Sequence, residues 1–174
     1  AEARDPRAHL VAKTVGSAAC LSGDRVALGV GLSWMPEEFR FLHQDMRTRG
    51  ARVDEAIEVI RALLRGGMVA HHGAHYDFDP LQLSPAPRQP VPIYVGGVSK
   101  PALRRAARLG DGWISMLHDR GELRGLVATL RALRREYGRE REPFEIKTLW
   151  IEPLDRDRVA ELEEIGVTDL LVTP

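Results

Sequence analysis

The 174 residues predict an α/β fold built from parallel β/α units. Two observations carry that expectation. Five short apolar runs recur along the chain: RVALGVG from Arg25, VPIYVGG from Val91, GWISM from Gly112, FEIKTLWI from Phe144 and VTDLLV from Val167. Each is too short for a helix and has the length of a buried strand. Between them lie longer stretches with the 3.6-residue apolar period of helices. Strands alternating with helices make right-handed crossovers, with the loops after the strands on one face. Two closures satisfy this pattern, an open doubly wound sheet or part of a (β/α)8 barrel. A complete barrel needs about 250 residues, and this chain supplies five strands. Strand order decides between them: sequential neighbours mean a barrel arc, and a reversal means a doubly wound sheet.

The elements follow in order. Residues from about Pro6 to Cys20 suit a helix, with Ala8, Ala12, Ala18 and Ala19 permitting close packing. Ser22-Gly23-Asp24 is a turn before the first strand. Glu37 to Leu64 reads as strongly helical, with Ile57, Ile60, Leu63 and Leu64 on one face and Gly66-Gly67 as its stop. Residues 68–90, rich in His, Pro and aromatic side chains, have no helical period and read as an excursion carrying a small hairpin. Lys100 to Leu109 forms a helix with Ala102, Leu103, Ala106 and Ala107 inward and Gly110 as its end. Leu123, Leu126, Val127, Leu130, Leu133 and Tyr137 mark the clearest helix, and Asp155 to Ile165 the last. The whole chain, 1–174, is expected to be a single domain.

Composition narrows the function. The 25 basic residues, 22 of them Arg, are balanced by 25 acidic ones. Arg104-Arg105 and Arg134-Arg135 read as solvated helix faces, since a nucleic-acid surface needs a one-sided basic excess. No apolar run approaches the roughly 20 residues of a membrane span, and AEARDPRAHL is no secretory signal. Cys20 is the single cysteine, so an internal disulfide is excluded and a reducing, cytoplasmic setting is expected.

One motif points to a ligand. The second strand stops at Gly96-Gly97, and Val98, Ser99, Lys100 and Pro101 lead at once into a helix. Glycine lets an anion approach without meeting a Cβ. Ser99 suits the N-cap, and Pro101 tolerates the first helical turn. Free N–H groups and the positive end of the helix dipole then face the space above the strand, and Lys100 adds charge. A tight turn and a phosphate cradle both satisfy this pattern. GVGLSW (Gly29–Trp34) ends the first strand by the same logic, but Trp34 stands where GxGxxG needs its third glycine. His71, His72 and His75 of HHGAH lack accompanying ligands, so no metal is assigned. Asp54, Glu55 and Glu58 lie near arginines at helical spacing and read as ion-paired surface. No GxSxG is present, and Cys20 has no partner for nucleophilic chemistry. No catalytic residue is assigned.

LSGDRVALGVGLSW, MPEEF, RGARVDEAIEVIRALL, YDFDPLQLSPAPRQPVPIYVGG and ALRRAARLGDGW, in that order, resemble the bacterial luciferase-like monooxygenase family. The likeness is greatest to its branch of oxidoreductases dependent on the deazaflavin coenzyme F420. The resemblance implies a (β/α)8 TIM barrel with a flavin-type cofactor at the C-terminal ends of the strands. The five strands here would be its fourth to eighth, without the first three β/α units and the last helix, and residues 68–90 would be the insertion between the fourth and fifth units. It implies that the cofactor phosphate lies against Gly96, Gly97, Val98, Ser99 and Lys100, and against Gly31, Ser33 and Trp34. Ser33 stands where the family commonly has Gly, Leu32 where luciferase members have a basic residue, and Ala18-Ala19 where Leu-Asp is usual. The implied activity is oxidation–reduction or monooxygenation of a small organic substrate with F420, favoured here, or FMN. Two other readings stay open, a truncated barrel that acts only with a partner chain and a phosphate-ligand binding module. Two strand edges, VALGVG and TDLLV, would allow a homodimer or another association.

Overall fold

The computed structural model describes residues 7–115, 120–150 and 154–172. Pro6, Met116 and Ile151, which the sequence places at the ends of elements, lie outside the described residues. The chain divides into two compact units.

The first unit comprises residues 1–28 and 32–92. It holds α1 (Arg7–Ser22), α2 (Pro36–Phe41), a 3-10 turn (Met46–Thr48), α3 (Arg49–Leu64) and a hairpin of β2 (Val69–His72) and β3 (Asp77–Leu81). Small residues bring α1 close to α3: Ala8, Ala12 and Ala19 are buried among Val59, Ile60, Leu63 and Leu64. A Cβ on Gly16 would stand 3.2 Å from Leu64 Cδ2, so that helix face tolerates little more than hydrogen there. Val69, Phe78 and Leu81 of the hairpin pack against the same core. α3 ends as expected, with Gly66 and Gly67 at φ 75° and 84°.

The continuous helix expected over Glu37–Leu64 is broken. His43 sits at φ 51°, outside the right-handed helical region, and the chain restarts only after it. Asp45 makes the restart by accepting the N–H of Arg47 at 2.8 Å. Helical periodicity reads through this break because both sides are helical.

The second unit comprises residues 29–31 and 93–174. It is built from β4 (Ile93–Gly96), α4 (Lys100–Leu109), β5 (Gly112–Ser115), α5 (Arg120–Glu136), β6 (Glu145–Trp150), α6 (Arg156–Ile165) and β7 (Asp169–Val172). With β1 (Leu28–Val30) these strands form one sheet in the order β1-β4-β5-β6-β7. The β4–β5, β5–β6 and β6–β7 pairings are all parallel. Apart from the hairpin, which forms its own sheet, every strand neighbours the next in sequence and nothing reverses. That is the order of consecutive strands in a (β/α)8 barrel, and the doubly wound alternative is set aside.

The helices cover one face of this sheet with Ala102, Leu103, Ala106, Ala107, Leu123, Val127, Leu130, Leu162 and Ile165, all buried. Trp113, Ile146 and Trp150 are buried too. The first strand departs from expectation. Arg25–Gly31 reads as a buried strand, yet only Leu28–Val30 is extended and it is half-exposed. Its place at the end of the strand order explains this, because an edge strand has one neighbour.

Two arginines expected on solvated faces are buried, Arg105 and Arg134. Arg134 lies over the Phe144 ring at 4.2 Å and donates to the carbonyls of Arg139 and Glu142. It thereby closes the connection from α5 to β6. Among the described residues no helix is long and apolar enough to cross a membrane.

Candidate functional site: the turn between β4 and α4

Buried Ile93, Tyr94 and Val95 bring the chain to the C-terminal end of β4, where Gly96 and Gly97 turn it. Gly97 has φ 105°, and a Cβ there would press on Ala102 Cβ at 3.1 Å. Position 97 therefore requires glycine both for conformation and for the close packing of α4. At Gly96 a Cβ would lie 3.6 Å from the Val30 carbonyl oxygen and 3.8 Å from that of Ile114. The ends of β1 and β5 thus flank the turn.

Ser99 is the N-cap in extended conformation, and its Oγ accepts the N–H of Ala102 at 3.4 Å. The hydroxyl proton remains as a donor. Pro101 removes one N–H from the first turn, while that of Lys100 has no acceptor within the helix. Gly97, Val98, Ser99 and Lys100 are all exposed. These features fit an anion: a glycine backbone a phosphate oxygen can approach, an N–H and a hydroxyl donor, the positive end of a ten-residue helix, and the ammonium of Lys100.

The other predicted contacts divide between the units. Gly31 belongs with this turn, and a Cβ on it would meet no atom within 4 Å, so its side of β1 is open. Ser33 and Trp34 belong to the first unit. Ser33 Oγ accepts the N–H of Met35 at 3.1 Å and donates to Glu38, so this hydroxyl is engaged locally. Trp34 is 80% exposed.

Two structural features escaped the sequence reading. Trp113, fully buried on β5, donates from Nε1 to the carbonyl of Gly97 at 2.8 Å. A buried indole N–H needs an acceptor, and the only signal was a Trp three residues after the Gly110 helix stop. Glu55 was read as ion-paired helix surface, but it turns to the hairpin instead. Its carboxylate accepts the N–H groups of Tyr76 (2.8 Å) and His75 (3.0 Å) and lies 3.0 Å from His71 Nε2. Burial pushes its pKa up, but these donors outweigh burial and hold it below the usual value. HHGAH is thus a hairpin loop gathered on a carboxylate. His72 pairs separately with Asp77 at 2.5 Å.

The most perturbed ionisable cluster lies elsewhere on the sheet. Tyr94 donates to Glu145 at 2.7 Å, and Lys147 bridges Glu145 (2.6 Å) and Asp169 (2.9 Å). Burial, then the bond to Glu145, pushes the Tyr94 hydroxyl up to about 12. Bonds from Lys147 lower the carboxyls of Glu145 and Asp169. Glu145 and Asp169 begin their strands, and Tyr94 is second in its own. The network therefore sits at the N-terminal ends, opposite the Gly96–Lys100 turn, where barrel residues serve stability. Two cavities among the described residues are also away from the turn. One of about 230 Å³ is lined by Arg61, Leu64, Arg65 and residues 87–91. Another of about 470 Å³ is lined by α5 and the β6 entry. Neither includes a turn residue, and the convergent donors weigh more than concavity.

The comparisons agree with this architecture. An uncharacterized protein of Mycobacterium tuberculosis (strain ATCC 25618 / H37Rv) is 45% identical over 163 residues, covering 94% of this chain and 56% of its own length. The chain thus spans about half the length of the curated relatives it matches. An F420-dependent glucose-6-phosphate dehydrogenase of Beutenbergia cavernae is 36% identical over 107 residues, 60% of this chain and 32% of that protein. Among solved structures, the coenzyme F420 dependent tetrahydromethanopterin reductase of Methanopyrus kandleri superposes with a TM-score of 0.79 at 15% identity, covering 96% of this chain and 74% of its own. An F420-dependent secondary alcohol dehydrogenase, in complex with an F420-acetone adduct, superposes at 0.75 with 22% identity, covering 90% of this chain and 48% of its own. At such identities these two establish the fold alone. The family model described as luciferase-like monooxygenase matches residues 4–151, most of the chain, and the chain therefore belongs to that family.

Proposed function

We propose that this chain carries the phosphate-holding half of an oxidoreductase site that uses coenzyme F420, or in second place FMN, on a small organic substrate. The observation that carries the reading is the β4–α4 turn, with Gly97 at φ 105° and Ser99 capping the helix, in a chain of this family. F420 is favoured because the named relatives above depend on it. When bound, the cofactor supplies the hydride-transfer or oxygen chemistry, and among the described residues of the turn no nucleophile or acid–base pair competes for that part. The protein's part is placement. The Lys100 N–H, the Ser99 hydroxyl and the Lys100 ammonium hold the phosphate, and Gly96 and Gly97 leave it room to approach. Gly31 completes the proposed contacts within this unit, while Ser33 and Trp34 belong to the first unit. A cytoplasmic location, argued from the lone Cys20, belongs to the same proposal.

A second reading has this chain bind the phosphate without turnover until a partner chain or second copy joins it. The half-exposed apolar edge strand β1 favours that reading. One titration addresses both. F420 and FMN are added to the purified chain while the chromophore spectrum is followed, and turnover is then assayed. Binding well below millimolar with F420 preferred is the expected result, and turnover by the chain alone would discard the second reading. If neither cofactor binds below millimolar, the enzyme reading of this chain fails.

A further inference from the structure

We infer that Trp113 is a positioning residue for the anion cradle: its buried indole sets the peptide between Gly97 and Val98 so that the Val98 N–H faces the phosphate. The inference rests on the cradle reading above and goes beyond it by naming what orients the turn. Trp113 is fully buried on β5, in register with Val95 of β4 and Ile146 of β6. Its Nε1 donates to the Gly97 carbonyl at 2.8 Å. In a planar trans peptide the carbonyl and the following N–H point in opposite directions. A carbonyl held inward by a buried donor therefore turns the Val98 N–H away from the core. That is the side on which Gly97 and Val98 are exposed.

The alternative orientation is disfavoured from both sides of the bond. Flipping the peptide would leave a buried indole N–H without an acceptor, which carries the full desolvation penalty of that group. The flip would also disturb Gly97, where an added Cβ would already stand 3.1 Å from Ala102 Cβ. The turn is thus fixed before any ligand arrives, and a donor aimed in advance costs no reorganisation on binding. Trp113 touches no ligand itself. It acts through the Gly97 carbonyl.

The test replaces Trp113 with benzothienylalanine, which keeps the bicyclic shape but has sulfur in place of the N–H. Trp113→Phe is a second variant, and circular dichroism checks the fold of both. Two matched pairs are titrated calorimetrically: FMN against riboflavin, and F420 against its deazaflavin chromophore lacking the phosphodiester chain. Within each pair the ring system is the same and only the phosphate-bearing chain differs. Wild type is expected to prefer the phosphate-bearing member of at least one pair. The isostere should cut that preference about five- to tenfold, the equivalent of one hydrogen bond, and leave the partner without phosphate unchanged. The Val98 amide resonance should shift and exchange differently in the isostere even without ligand. If wild type shows the preference and a folded isostere keeps it, the cradle stands and the role of Trp113 is overturned. If wild type shows no preference in either pair, the cradle reading falls and this inference with it.

Discussion

Gly97 and Ser99 carry separable parts of the cradle. Gly97 is held at φ 105° with Ala102 Cβ in the way of any side chain, so Gly97→Ala is expected to cost on the order of 1–3 kcal/mol of stability. Urea denaturation measures this, and an unchanged midpoint would show that the turn relaxes freely. Ser99 divides its role between capping and ligand. Ser99→Ala removes the acceptor for the Ala102 N–H and should cost about 1 kcal/mol, whereas Ser99→Gly should cost only a few tenths. Both should weaken phosphate binding, because both lose the hydroxyl proton. Equal stability losses in the two variants would mean that the cap matters little. These residues were legible in the sequence because each choice is local: glycine for conformation, serine for the cap. Trp113 was not, because its acceptor lies 16 residues upstream in the turn after another strand.

At the scale of elements, the hairpin depends on one side chain of α3. Glu55 gathers the N–H groups of His75 and Tyr76, and a Cβ at Gly73 would overlap its carboxylate. Glu55→Ala strands those donors and is expected to cost about 1–3 kcal/mol. Amide exchange of the β2–β3 hairpin should quicken, and protection equal to wild type would show that packing of Phe78 and Leu81 alone suffices. Helix periodicity assigned Glu55 to the surface beside arginines, since spacing along a helix says nothing of what a later segment brings to it. The break at His43 was hidden for a related reason. Its positive φ belongs to a residue of ordinary helical propensity, and Asp45 restarts the helix only because of where the chain has turned. Strands β4 to β6 and the helices α4 to α6 were legible because their apolar residues match the faces they bury.

For the molecule as a whole, the shifted groups set the pH window. Glu55, Glu145 and Asp169 titrate lower in the folded chain than their ordinary 4.5, 4.5 and 3.8. Groups depressed by folding add stability that is present above the unfolded value and lost as pH falls through the folded one. The thermal midpoint should therefore drop below about pH 4.5, the ordinary glutamate value. At the other end, Tyr94 rises from 10.0 to about 12 and Lys147 rises above 10.5. Their contributions are present below those unfolded values and disappear as pH climbs through the folded ones. Thermal melts between pH 3 and about 12 check both limbs, and Lys147→Met should weaken the acid limb by removing the donor that lowers Glu145 and Asp169. A profile for that variant identical to wild type would show that the network carries no weight.

Local chemistry by itself determined the α/β class, the five strands, the glycine–serine turn and the family likeness. Each depends on which residues lie within a few positions of one another. Only the tertiary structure decided the strand order, the half-exposure of β1, the burial of Arg105 and Arg134, and the partners of Glu55 and Trp113. Those depend on contacts between residues far apart in the chain, where a buried donor or charge takes whatever acceptor the fold places beside it.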